Sequence, residues 1–212
     1  MSGDAHKNDP DLAGLRSGQV DELPTGLRRA ADLSLLQDTR LLRALAWWQG
    51  LGDPDAGSPD QTGGDIPDRA RLDPGQITDL LPHAILWDVL PATDEDGPGT
   101  AGLGDRLLYR CRLAGTMLND FYGREARGQW LHEQYGDESA AMQAEYDAVV
   151  RLRRPLWAEH RMSWADKPYY RYLRLMLPFT HRTATGRSDT PGLRSDAERV
   201  ALIFNVISFI GE

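Results

Sequence analysis

The segment VALIFNVISFI, residues 200–210, constrains the fold of this chain more than any other part of the sequence. Its side chains are apolar on both faces of an extended strand, apart from Asn205 and Ser208. A strand with this pattern lies in the middle of a sheet that is covered on both sides. The chain therefore needs one layer of structure on each side of the sheet that contains residues 200–210.

Four other segments have the apolar or alternating pattern of strands. They are residues 84–90, 107–113, 156–163 and 169–179. Between the second and third of these, residues 116–135 are typical of short helical turns and loops. Asp137 is the expected cap of a longer helix, which ends before Pro155 and carries one apolar face, composed of Met142, Tyr146, Val149 and Val150. Helices, two strands, helices and three strands in this order indicate an α+β fold.

An amphipathic helix is predicted over residues 35–49, after a capping box formed by Ser34 and Gln37. It is the candidate to cover the second face of the sheet, alone or at a dimer interface. Trp47 lies on the flank of its apolar stripe, where it would form a dimer contact or pad the sheet. The interface candidates on this helix are Leu41, Leu45, Trp47 and Trp48.

A second, shorter helix is predicted between the first helix and the first strand. Asp73 is its expected N-cap, Pro74 suits its first position, and Gln76 is the expected capping-box partner. The helix should end at Pro82.

The composition limits which binding partners and which cellular compartment are expected. A net charge of -8 argues against surfaces for nucleic acid or anionic membrane, which require clustered Lys and Arg. A single cysteine excludes an intrachain disulfide, and no run of 18 apolar residues predicts a membrane span. Because no signal peptide is recognisable, we expect a soluble, cytoplasmic protein. Residues 1–30 are polar, without apolar periodicity, and are predicted to be a disordered tail.

Several stretches together resemble a bacterial subfamily of single-domain PAS proteins whose ligand is unassigned. They are residues 45–48 (LAWW), 72–89 (LDPGQITDLLPHAILWDV), 109–116 (YRCRLAGT), 122–124 (YGR) with Gly128, and 172–178 (YLRLMLP). The resemblance implies a five-stranded antiparallel sheet with a helical crossover and an N-terminal capping helix. It places the PAS domain at 72–212, after an N-terminal helix and linker at 31–71. It also implies a sensory or regulatory role without catalysis.

The sequence departs from the pattern of this subfamily in its long tail and in two enlarged loops, 91–105 and 181–198. Cys111 stands where the subfamily has a larger residue. That exchange leaves room for a ligand, unless the neighbouring side chains repack.

No catalytic motif is present. The sequence lacks a Gly-x-Ser-x-Gly elbow, a phosphate-binding loop and a His-Glu-x-x-His pair. None of the five histidines has the spacing of metal ligands. Haem-binding PAS domains commonly take a ligand from the crossover helix, and residues 138–153 contain no histidine. The cofactor is therefore unknown.

Polar residues on otherwise apolar strands are the candidate ligand contacts. Arg174 is the most informative, because a buried arginine needs a carboxylate of the protein or an anionic ligand unless it reaches solvent. His160 could equally be a satisfied histidine on a half-buried strand. The candidate ligand-binding residues are Tyr109, Cys111, His160, Tyr172, Arg174 and Asn205.

Two functions remain open from the sequence. In the first, a small molecule or a protein partner binds the core and shifts the N-terminal helix or the packing of a homodimer, which a signalling protein then detects. In the second, the chain is an interaction module that binds no ligand. The sequence identifies neither the ligand nor the partner.

Overall fold

A computed structural model describes residues 32–52, 66–92, 106–161, 171–181 and 199–210, with Arg161 described by its backbone alone. The predicted tail over 1–30 and most of both enlarged loops lie outside these residues. So do positions 162–163 and 169–170, where two strands were predicted to end and to begin.

The described strands form one five-stranded antiparallel sheet, which confirms the expected fold class. The strands are β1 (Ala84–Pro91), β2 (Leu107–Ala114), β3 (Leu156–Arg161), β4 (Arg171–Thr180) and β5 (Val200–Ile210). Their order across the sheet is β2-β1-β5-β4-β3. As the apolar pattern of residues 200–210 requires, β5 is the central strand.

The register of β5 shows which side chains share a face of the sheet. Asn205 lies opposite Ile85 of β1 and Met176 of β4. Directly paired residues of antiparallel strands point to the same side, and neighbours along a strand point to opposite sides. Asn205 therefore shares one face with Arg174, while Ser208 points to the other face.

The crossover between β2 and β3 contains three helices: α2 (Thr116–Tyr122), α3 (Leu131–Tyr135) and α4 (Ser139–Leu152). They cover the face of the sheet that carries Asn205, which we call the helical face. α2 ends at Gly123, whose φ of 67° is the left-handed conformation that favours glycine. Met142, Tyr146 and Val149 of α4 are buried as predicted.

The predicted start of α4 was wrong. Asp137 lies in a 3-10 turn over Gly136–Glu138, and α4 begins after Glu138 without a side-chain cap. Gly136, at a φ of 51°, links α3 to this turn without a break, so the chain enters α4 from a helical turn. A capping side chain requires an extended residue at that position, and Glu138 has helical backbone angles.

The N-terminal helix α1 (Thr39–Gly50) packs against β4 and β5 on the opposite side, which we call the N-terminal face. Its cap is Asp38, whose side chain accepts from the Leu41 amide at 2.9 Å. The predicted capping box was wrong, because Ser34 lies in an earlier 3-10 turn over Leu33–Leu35. Asp38 supplies a charged acceptor at the positive end of the helix, which a neutral cap such as Ser34 does not.

Polar and aromatic contacts hold α1 on the N-terminal face. The Trp48 indole donates to the Pro178 carbonyl at 2.8 Å, and the Ser208 hydroxyl donates to Asp38 at 2.6 Å. Trp47 packs on Phe204, with ring centroids 5.4 Å apart. All four interface candidates on α1 are buried within this one chain. A dimer through them stays a prediction, and it would require α1 to leave the sheet.

The helix predicted between Asp73 and Pro82 is two separate 3-10 turns, Pro74–Ile77 and Leu81–His83. Asp73 caps the first turn as predicted, accepting from the Gly75 amide at 2.9 Å. Pro74 suits the first position of the first turn, whereas Pro82 has no amide hydrogen with which to continue an α-helical ladder through the second turn. The second turn packs against the junction of β2 and α2 at Gly115.

We predict that Gly115→Ala destabilises the fold severely. A Cβ at position 115 would lie 2.1 Å from the Leu81 carbonyl oxygen and 2.3 Å from that of Pro82, both backbone atoms. The cost should be about 3 kcal/mol or more, because the 3-10 turn and the start of β1 would have to move. Urea denaturation measures this.

Gly50→Ala is the control, because a Cβ at position 50, the last residue of α1, meets nothing within 4 Å. This change should leave stability within about 0.5 kcal/mol of the wild type or raise it. Equal effects of the two substitutions would contradict the packing of Gly115 on residues 81–82.

Candidate functional site

The six candidate ligand residues all lie on the helical face. His160 is paired with Tyr172, and Cys111 with Trp87, whose ring contacts the crossover helices. Arg174 and Asn205 are diagonal neighbours on β4 and β5. The strand alternation that singled out these residues thus places them against one helical layer, over β2, β5, β4 and β3.

Arg174 occupies the centre of the site and is 0% exposed. Its Nη2 bonds the carboxylate of Glu145 on α4, and its Nη1 lies 3.2 Å from the Met142 sulfur. Of the partners that the sequence left open for this arginine, the structure shows a carboxylate of the protein itself. The pair joins the middle of β4 to the middle of α4.

His160 completes a triad with these two charges. Its Nε2 lies 3.2 Å from the Glu145 Oε2 and 3.2 Å from the Arg174 Nη2. The ring stacks on Tyr172 with centroids 5.0 Å apart and planes inclined by 19°. Nε2 can donate to the carboxylate in one tautomer and accept from the guanidinium in the other. The triad therefore satisfies the polar edge of His160 in either tautomer.

The triad has no net charge at neutral pH. Burial raises the pKa of Glu145, but the Arg174 charge and the hydrogen bonds from His160 and Arg174 outweigh it, and the pKa is lowered. Burial and the Arg174 charge both lower the pKa of His160, and the attraction of Glu145 does not compensate. The pKa of Arg174 is raised in spite of burial, by Tyr146 and Glu145. One cation and one anion thus face a neutral imidazole.

Tyr146 of α4 connects the triad to the rest of the site. The Arg174 guanidinium lies 5.2 Å from its ring centroid. Its hydroxyl accepts from the Asn205 amide. Trp87 meets the ring edge-on at 5.8 Å, and Tyr109 lies 5.1 Å away. The fully buried Tyr146 therefore contacts four of the five strands, β2, β1, β5 and β4, through their polar or aromatic side chains.

Several buried polar atoms of this site have no hydrogen-bond partner among the described residues. They are the indole nitrogen of Trp87, Nε of Arg174 and Oδ1 of Asn205. Trp87, Arg174 and Asn205 are fully buried and all contact Tyr146. Buried polar groups in folded proteins are nearly always paired, so a cluster of unpaired ones indicates a place where another molecule can bind.

Tyr109 and Cys111 play a different part from the other four candidates. The Tyr109 hydroxyl donates to Asp147 at 2.7 Å, and Gln143 donates to the same carboxylate oxygen at 3.0 Å. Burial raises the pKa of Cys111 to about 12, so the thiol stays protonated and is not a nucleophile. Both residues anchor the outer strand to neighbouring structure rather than offer free groups.

Sequence reasoning missed Glu145, Tyr146 and Trp87 as members of the site. The signal for Glu145 was present, because it lies three residues after Met142 and four before Val149, within the apolar stripe of the helix. A carboxylate at such a position has to find a cation in the core.

One comparison with known proteins identifies the family of this chain. The family model described as PAS domain matches residues 43–190, which is most of the 212 residues. The chain belongs to the PAS domain family. PAS domains are in general non-catalytic and have sensory or regulatory roles in signalling. Comparisons with curated proteins and with solved structures each found no significant match.

The described part of the chain has neither a cluster of metal-ligating side chains nor a membrane-spanning helix. Within the described residues, no group of three or more His, Cys, Asp or Glu side chains could hold a metal ion. No helix in that part of the chain has both the length and the apolar character to cross a membrane.

We predict that Glu145→Gln destabilises the PAS domain by about 3–5 kcal/mol, because it leaves the buried charge of Arg174 without its counterion. Glu159→Gln is the matched control, since Glu159 pairs with another arginine of β4, Arg171, at the surface. Removing an exposed ion pair should cost about 1 kcal/mol or less. Chemical denaturation of both variants checks this, and equal losses would show that the buried pair has no special role.

The buried His160 should make folding weaker in mild acid. Its pKa is lower in the fold than in the unfolded chain, where histidine has its ordinary pKa of about 6.5. Below about pH 6.5 the unfolded chain therefore binds a proton that the folded protein does not. The free energy of unfolding consequently decreases as the pH is lowered. His160→Gln should flatten this fall between pH 7 and about pH 5.5, above the range in which Glu145 contributes.

His132→Gln is the control, because His132 is exposed. His83, whose pKa is also lowered by burial, stays in both variants. Denaturation at a series of pH values gives the slopes, and an unchanged slope in the His160 variant would refute the assignment.

Proposed function

We propose that this PAS domain is a non-catalytic sensor that binds a small molecule between the helical face of its sheet and the helices α3 and α4. The observation that supports this is the group of fully buried polar side chains around Tyr146 with unpaired atoms, namely Trp87, Arg174 and Asn205. Each unpaired buried polar atom costs about 1–3 kcal/mol, a cost that hydrogen bonds to a bound molecule would remove.

The central strand offers a path from this site to the N-terminal helix. Asn205 faces Tyr146 on one side of β5, and the adjacent Phe204 packs on Trp47 of α1 on the other side. Ser208, three residues on, bonds the cap of α1 at Asp38. A ligand that moves the backbone of β5 therefore moves contacts of α1. We propose that a signalling protein detects this change on α1, directly or through a homodimer.

A ligand-free interaction module is the second candidate. It is favoured by the ion pair of Arg174 and Glu145, because the protein itself neutralises the charge that an anionic ligand would otherwise need to meet. Leu35 and Leu42, at the N-terminal turn and on α1, are the exposed apolar residues that would serve such a module.

Native mass spectrometry of the purified protein, compared with the same sample after denaturation, tests the proposal. We expect a mass excess in the native spectrum that disappears on denaturation, at the mass of a small molecule. Bare protein in the native spectrum, together with no binding in a small-molecule screen by thermal shift, would refute sensing and favour the interaction module. The number of chains in the native ion tests the homodimer.

A further inference from the structure

The charges of the site limit what kind of molecule can bind there. Arg174 and Glu145 are both buried, and each is the other's counterion. His160 lies within 3.2 Å of both and is mostly buried. Among the described residues, Trp87, Tyr109 and Asn205 also contact Tyr146, and these three side chains carry no charge. An anion in this place would add a second negative charge next to Glu145 with no cation left to meet it.

The unpaired atoms provide both kinds of hydrogen-bonding group. The indole of Trp87 and the Nε of Arg174 are donors, and Oδ1 of Asn205 is an acceptor. With the Asn205 amide nitrogen on the Tyr146 hydroxyl, its Oδ1 is the free end and accepts. A ligand that satisfies such a site must accept hydrogen bonds at one end and donate at another.

We propose, building on the sensor function above, that the ligand is an uncharged small molecule that carries both a hydrogen-bond acceptor and a donor, as a primary amide does. Its acceptor meets the indole of Trp87, and its donor meets Oδ1 of Asn205, the diagonal neighbour of Trp87 on the adjacent strand. The internal pairing of Arg174 with Glu145 excludes carboxylates and phosphates, although a buried arginine alone would attract them. The aromatic rings of Trp87 and Tyr146 contact the apolar part of the ligand.

Two matched pairs of compounds test this: benzamide with benzoate, and the smaller acetamide with acetate. Within a pair the shape is nearly the same, and the charge and the donor differ. Binding to the wild-type protein is measured at pH 7.5 by ligand-observed NMR and by titration. We expect the amide of at least one pair to bind about ten-fold or more tightly than its carboxylate.

Each other outcome overturns the inference. A carboxylate that binds as tightly as its amide would show that the site accepts anions, and the sensor function would stand. If neither compound of either pair binds, the inference also fails. The native mass spectrum then separates the two failures, because a co-purified anion leaves the sensor function intact, whereas bare protein removes it as well.

The two tryptophans with unpaired indoles provide the variant test. Trp87 lies on the helical face and Trp47 on the N-terminal face, and both are buried with an indole nitrogen that has no partner in the described part of the chain. Trp87→Phe should weaken binding of the amide by roughly 2- to 10-fold, as expected for one lost hydrogen bond.

Trp47→Phe should leave the affinity unchanged, although both variants lose a similar amount of packing. Measuring melting temperature and affinity separates the two effects. Unchanged affinity in the Trp87 variant, or an equal loss in both, would refute the assigned contact.

Discussion

The buried ion pair of Arg174 and Glu145 is the interaction on which the arrangement of the site depends. It fixes the crossover helix α4 to the inner sheet strand β4. Both partners lose their hydration, so the pair contributes little net stability compared with two apolar side chains. Its value lies in geometry, because α4 cannot slide along the sheet without separating a cation from an anion in the core. That constraint sets the position of Tyr146, the residue next to Glu145.

The two faces of the sheet are covered in different ways. On the N-terminal face, α1 is held by aromatic packing of Trp47 and by polar contacts at both of its ends, through Asp38 and Trp48. On the helical face, polar groups lie in the centre, around Tyr146. β5 belongs to both faces, since its alternate side chains serve one and then the other. A change at Asn205 therefore lies only one residue away from Phe204, which packs on Trp47 of α1.

Much of the fold followed from the sequence, because period-two and helical patterns record which side chains are buried. The double-sided apolar pattern of residues 200–210 placed the central strand, and strand alternation placed Tyr172 and Arg174 on a common face. The register of β4 and β5 adds Asn205 to that face. The errors concern caps: Ser34 and Asp137 had suitable types, but which residue ends a helix depends on backbone angles that tertiary contacts impose. Glu145 was missed since its partner is 29 residues away in the chain.

The presence of unpaired polar atoms beside an ion pair whose charges neutralise each other is informative about selection of a ligand. If the core served packing alone, Trp87 could be replaced by an apolar residue of similar size, which would remove an unpaired buried donor. If it served to attract anions, Glu145 would work against that function. A neutral but polar interior is consistent neither with a core that serves packing alone nor with a core that attracts anions. It fits a site that recognises a ligand by its hydrogen-bonding pattern rather than by its charge. The ion pair then has two effects: it positions Tyr146, and it removes the attraction that Arg174 would exert on every small anion in its surroundings.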